Sequence, residues 1–176
     1  MDLFSKTPAH DLDAEQALIS ALLIDNTPFD DLSFLTPQDF YKTAHQKIYR
    51  AMISLWRMND PVDLVTVATW LQKSNELEKV GGAGYLASIA DSAPMAVNAK
   101  AYANTIKDFS LNRQVLLVAS KIQDAALRGE SGEAVLEMFQ SEAMKIQSSD
   151  HKDKIQNVGD IMDDHLNRIE KANTSQ

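Results

Sequence analysis

The stretch VGGAGYLASIA, Val80 to Ala90, gathers three of the chain's six glycines. Glycine turns can cradle phosphate, because bare backbone N–H groups approach the anion closely. A mononucleotide loop also needs a lysine for the phosphates and a Ser or Thr for magnesium, in the order G-x-x-x-x-G-K-[ST]. Neither follows Gly84. The looser dinucleotide pattern G-x-G-x-x-A fits Gly82, Gly84 and Ala87, but it has meaning only between a strand and a helix. Here it follows KSNELEK, a polar helix end. The stretch is therefore expected to be a connector: glycines at a helix stop, then a short helix sending Tyr85, Leu86 and Ile89 into the core.

Two clusters hold metal-competent side chains, HDLDAE (His10 to Glu15) and GDIMDDH (Gly159 to His165). Asp160 and Asp164 stand one helical turn apart, as two ligands could. Both clusters open helices, where carboxylates already favour the positive end of the dipole, so no metal is expected. There is no HExxH, no calcium-loop pattern and no serine in a G-x-S-x-G elbow. His45 has no partner near it in sequence and is expected on the surface of a helix's first turn. Nothing pairs a general acid with a base.

The elements that carry these residues read as helices. Asp13, with Gln16 three residues on, can cap a first helix bearing Leu18, Ala21 and Leu22. Thr27-Pro28-Phe29-Asp30 and Thr36-Pro37-Gln38-Asp39 share one pattern of cap, proline and acid, which predicts two short turns. Thr43 to Gln46 reads as another capping box. Behind it Ile48, Ala51, Met52, Leu55 and Trp56 fall on one helical face. Asp63 can cap the β-branched LVTVATWLQ, read as a helix because Leu64, Val67, Ala68 and Leu71 share a side.

From Asn98 to Arg128 there is neither Pro nor Gly, so one long helix is expected. Its stripe shifts from Tyr102, Ile106 and Phe109 to Leu111, Val115, Val118 and Ile122. Gly129 is the expected stop. A second helix follows with Val135, Met138, Phe139, Glu142 and Ile146 on one side. So short a turn makes the pair antiparallel. Two helices hold too little core to stand alone, so their stripes need another surface. The fold class is all-α: a multi-helix head over 11–96, a long antiparallel hairpin over 97–147, a polar linker over 148–157 and a docking helix over 158–173.

Charge and composition narrow the function. The 176 residues are 44% hydrophobic with a net charge of −8, so a general polyanion binder is excluded. Residues 1–96 carry 7 basic and 13 acidic side chains, which makes that half the unlikely face for DNA. On the hairpin Lys100, Lys107, Arg113, Lys121 and Arg128 outnumber Asp108 and Asp124. No aromatic is interleaved for base stacking, so a solvated face is expected there, with weak contact to nucleic acid or an acidic partner as the alternative. The absence of cysteine excludes disulfides and thiolate sites. ALISALLI is far shorter than the roughly 18 residues of a membrane span, and the N-terminus lacks signal-peptide order. The chain is expected to be cytoplasmic.

Five stretches, in order and spacing, are similar to the N-terminal region of bacterial replicative DNA helicases, the DnaB family: DLDAEQALISALLIDN, LTPQDFYKTAHQKIYRAMISL, DPVDLVTVATWLQ, VGGAGYLASIADSAPMAVNAKAYANTIKD and NRQVL. The resemblance covers most of residues 11–116; beyond that it lies in layout. It implies a helical head and hairpin, with six copies joined as a trimer of dimers through head and hairpin contacts. It also implies a platform for DnaG-type primase and for a helicase loader, and a linker helix that docks on a neighbour's motor domain.

The family's motor, with its ATP and magnesium, would follow the linker helix. With no Walker A or B site, this chain is expected to hold no cofactor, to hydrolyse no ATP alone and to bind little DNA directly. The self-association residues are expected to be Leu111, Val115, Val118, Ile122, Val135, Met138, Phe139 and Ile146. Glu15, Tyr102 and Arg113 are the primase-binding candidates that the resemblance suggests, and Ile161, Leu166 and Ile169 the motor-docking residues. Two rivals remain: the C-terminal, helicase-binding module of a primase (or a stand-alone adaptor of the same fold), and an enzyme whose site carries no motif.

Overall fold

A computed structural model describes residues 8–92 and 98–147 of the chain. Five α-helices, α1 (Leu12–Ile24), α2 (Thr43–Arg57), α3 (Leu64–Lys73), α4 (Gly82–Ala90) and α5 (Ala99–Leu127), are joined by 3-10 turns at Thr27–Asp31, Pro37–Asp39 and Glu78–Val80. A sixth, α6, covers 132–147. No strand occurs among the described residues, so the class is all-α. The expected linker and docking helix, with Ile161, Leu166, Ile169 and the GDIMDDH cluster, lie outside the described residues.

The helix starts follow local chemistry, with three corrections. Thr27, expected to cap its turn, is the turn's first residue, preceded by Asn26. Asp11, not Asp13, caps α1: its carboxylate accepts from Ala14 N at 2.9 Å. Thr43 is already the first helical residue of α2, preceded by Lys42 without a side-chain cap. The capping box expected there is absent, and Gln46 Nε2 instead donates to Phe40 O at 2.8 Å. Two other starts are as expected. Thr36 and Asp39 form a reciprocal box. Asp63 accepts from Val65 N and Thr66 N at 2.9 and 2.8 Å, and α3 is helical despite its β-branched residues. The local cap and the burial of Val67 and Leu71 outweigh the modest propensity cost.

The glycine stretch is a connector. Gly81 takes φ +107° and Gly82 +73°, left-handed values that a side chain resists. A Cβ on Gly81 would meet Tyr85 Cβ at 2.8 Å. The chain turns there and runs into α4, whose Leu86 and Ile89 are buried.

The chain divides into two compact units after Leu117, inside α5. Residues 99–117 belong with the head because Ala99, Ala103 and Ile106 enter its core. Small side chains let the helix backbone approach closely. The head's central helix is α1, with Leu18, Ile19, Ala21 and Leu22 fully buried between α2 and α4. In the second unit, residues 118–127 of α5 turn at Gly129 (φ +76°) into α6. The Lys121–Glu142 pair at 3.0 Å fixes their antiparallel register. No helix among the described residues is long and apolar enough to cross a membrane.

Candidate functional site

Two features could serve a function: an open apolar face on the hairpin, and polar networks buried in the head. The hairpin seam closes on itself only in part. Ala125 is fully buried, while Val118, Ile122, Val135, Met138 and Ile146 are half-buried. Phe139, counted in the same stripe, is 51% exposed. Leu127, Leu136 and Met144 stand outside as well. In the α5 segment that belongs to the head, Leu111 and Val115 are also exposed, joined by Leu116 and Leu117. The expected residues thus divide into an inner set, packed within the hairpin, and an outer set left exposed among the described residues: Phe139 on the hairpin, and Leu111 and Val115 on the head's part of α5. Leu116, Leu117, Leu127, Leu136 and Met144 extend the outer set beyond the expected residues. They are missed by a single-stripe reading because a helix packed on one side only leaves the rest of its circumference free.

Polar groups flank this face. Glu142 receives Lys145 at 2.5 Å and Lys121 at 3.0 Å, and the bonds from Lys145 and then Lys121 hold its carboxyl below the usual value. The two lysines are exposed while Glu142 is largely covered, so solvent screens the pairing and it sets register more than stability.

In the head, His45 is fully buried rather than on the surface. Its Nδ1 donates to Glu15 Oε2 at 2.6 Å, since a carboxylate can only accept. Nε2 lies at hydrogen-bond distance, 2.7 Å, from the Tyr85 hydroxyl. Tyr85 oxygen in turn receives Lys42 Nζ at 2.6 Å and Gln16 Nε2 at 3.3 Å. Glu15 also accepts the backbone N–H groups of Tyr41 and Lys42. The order carboxylate, imidazole, hydroxyl is that of a hydrolytic triad. Here the hydroxyl is a phenol already closed off by Lys42 and Gln16, so the network ties α1, α2 and α4 together. The signal was present in the sequence: His45 lies three residues before Ile48 and seven before Met52, on the buried face of α2.

A second clamp holds α5 to the head. Asp39, buried below the Pro37–Asp39 turn, accepts from Ser110 Oγ at 2.7 Å and pairs with Lys107 at 3.3 Å. Arg113 donates to Ala9 O at 3.1 Å and to Asp39 O. Its guanidinium lies 5.8 Å from the Tyr41 ring, which also stacks on His10 at 4.1 Å.

The three primase candidates are thereby placed. Glu15 is 2% exposed and turned inward. Tyr102 packs partly buried on the core, and Arg113 is half-buried at the join of α5 and the Asp39 turn. The HDLDAE carboxylates diverge, Asp11 to its cap and Glu15 to the interior. Among the described residues no three His, Cys, Asp or Glu are placed to hold a metal ion. The glycine turn lacks the lysine and hydroxyl of a phosphate loop.

Comparison with known proteins gives a consistent result. The family model for the DnaB-like helicase N terminal domain matches residues 7–108. Replicative DNA helicase DnaB of Geobacillus stearothermophilus is 35% identical over 172 residues, covering 96% of this chain and 38% of that protein. Replicative DNA helicase DnaC of Bacillus subtilis (strain 168) is 34% identical over 171 residues, with the same coverage. The chain therefore spans about two-fifths of these relatives. Among solved structures, the N-terminal domain of DnaB helicase from Mycobacterium tuberculosis superposes with a TM-score of 0.73 at 34% identity, covering 78% of this chain and 99% of that one. A DnaB-like replicative helicase, described with its interactions with primase, superposes with a TM-score of 0.63 at 25% identity, covering 79% of this chain and 31% of that one.

Proposed function

Since the chain belongs to the DnaB-like helicase N-terminal domain family, we propose that it acts as the collar of a replicative DNA helicase in the cytoplasm, joining copies of itself and offering primase a platform. The observation that carries this reading is the hairpin's outer set, Leu127, Leu136, Phe139 and Met144, each more than half exposed on helices that bury few apolar residues between them. Apolar area left in water is covered most cheaply by an identical neighbour, and closed symmetric assemblies are the common solution. Dimers would form first, and three dimers would close a ring of six. Each apolar side chain covered in this way contributes on the order of 1.5–3 kcal/mol.

The primase part of the proposal is supported by the neighbour described with primase. It falls on the hairpin and on the join beside Tyr102 and Arg113. A loader, and the motor domain with its ATP and magnesium, belong to the same proposal. The family match lies with the helicase and not with the primase module weighed from the sequence.

The test is particle mass by light scattering. Wild-type chain should run as a dimer or larger, and Phe139→Asp should run as a monomer with its helix content intact. Val118→Asp should dissociate it too, although Val118 also packs within the hairpin. A wild-type monomer at high concentration, or an unchanged mass in Phe139→Asp, overturns the reading. ATP hydrolysis above background by the pure chain, with or without single-stranded DNA, would instead favour the enzyme class.

A further inference from the structure

At one end of the head α1 finishes, α2 finishes and α3 begins. The Asn26 side chain joins them: Nδ2 donates to Leu22 O and to Val62 O at 2.8 Å each, and Oδ1 accepts from Val62 N at 3.1 Å. Four large apolar side chains are exposed on these segments, Ile24 (61%), Trp56 (36%), Met58 (56%) and Val65 (72%). Trp56 is braced by Phe29, stacked at 5.6 Å. The core does not need them, because Leu22, Phe29, Leu55, Val62 and Val67 fill the inner side of the same elements. Isolated exposed apolar residues are ordinary, whereas four on three joined elements mark a contact surface.

The same segments are acidic. Asp25, Asp30, Asp31, Asp60 and Asp63 stand against Arg57 and Lys100, the latter 3.8 Å from Asp31. Bonds from Thr27, backbone first, hold the Asp25 carboxyl below its ordinary range, and those led by the Thr66 N–H do the same for Asp63. Both remain ionised at neutral pH. A second copy presenting the same end would bring like charges face to face, which opposes docking.

We infer that this end of the head, centred on Trp56 and Val65, docks a basic amphipathic segment of a different protein, its apolar side chains covering Ile24, Trp56, Met58 and Val65 and its flanking Lys or Arg meeting the aspartates. The surface is held ready by the Asn26 bonds, so little ordering cost falls on the head when the partner arrives. The aspartates would steer the approach and choose the partner's sign; the apolar four would hold it.

The experiment titrates the full chain with a synthetic peptide of leucine and lysine at helical spacing, and with the same peptide carrying glutamate for every lysine. Trp56 and Trp70 are the two tryptophans; Trp70→Phe leaves Trp56 emission as the readout. The lysine peptide should shift that emission saturably and the glutamate peptide should not. Val65→Asp, and separately Asp60→Lys with Asp30→Lys, should weaken binding at least about tenfold while leaving helix content unchanged, since all three positions are exposed. Absence of binding, or equal binding to both variants, overturns the inference. So does a fall in particle mass in Val65→Asp, which would assign the surface to a second copy. Phe139→Asp tests the collar reading separately, so the two proposals fail on different results.

Discussion

Removing the Glu15 carboxylate should be among the most damaging single changes in the head. In Glu15→Ala three donors lose their acceptor together: Tyr41 N–H, Lys42 N–H and His45 Nδ1. Glu15 is 2% exposed and His45 0%, so water does not replace the lost bonds without opening the packing between α1 and α2. Each buried donor left unsatisfied costs about 1–3 kcal/mol. The donors share one site and relax together, so the lower sum applies, and a loss of about 3–5 kcal/mol is expected. A domain of this size holds about 5–15 kcal/mol in total, so the variant should keep a cooperative transition at a much lower midpoint.

The assay is urea unfolding followed by circular dichroism, with the slope compared to wild type. Glu15→Gln retains one acceptor oxygen and should lose less than Glu15→Ala. A loss below about 1 kcal/mol in Glu15→Ala with an unchanged slope would mean that the carboxylate's desolvation cancels its bonds, and the reasoning from unsatisfied donors would be refuted.

Other changes have definite outcomes. Gly81→Ala meets Tyr85 Cβ at 2.8 Å in a left-handed backbone, and should lower stability by about 1–3 kcal/mol in the same assay. Asp39→Ala removes the acceptor of Ser110 and Lys107; hydrogen exchange should speed up across residues 99–113 while α3 keeps its protection. Asp63→Ala removes the α3 cap and should cost about 1 kcal/mol at neutral pH. Bonds led by Thr66 N–H depress the Asp63 carboxyl below its ordinary 3.8, so its contribution is present above that value and is lost as pH falls through the lower folded-state value. The gap between wild type and Asp63→Ala should therefore close in acid, and a gap that persists there would contradict the capping account.

Much of the architecture was legible in the residues. Helical spacing identified α2, α3 and the run from 99 to 127, and Gly129 marked where the hairpin turns. The Thr36–Asp39 pair announced its own turn, and the missing lysine and hydroxyl after Gly84 reduced a phosphate loop to a connector. These inferences work because each depends on groups within about one helical turn of one another.

The misplacements have a common cause. Local pattern alone places His45 on the surface, because its partners, Glu15 and Tyr85, lie 30 and 40 residues away. Local pattern marks Asp39 only as a dipole acid, yet it also clamps a helix whose Ser110 lies 71 residues further on. The division within α5 follows from which of its residues reach the head core, and no local pattern records that. By itself the sequence determined that the chain is helical, which stretches form the helices, and that its hairpin carries more apolar surface than it can hide. Only the tertiary structure decided which polar side chains turn inward and which apolar ones stay in water, because burial is set by what packs opposite, and the opposing residues come from elsewhere in the chain.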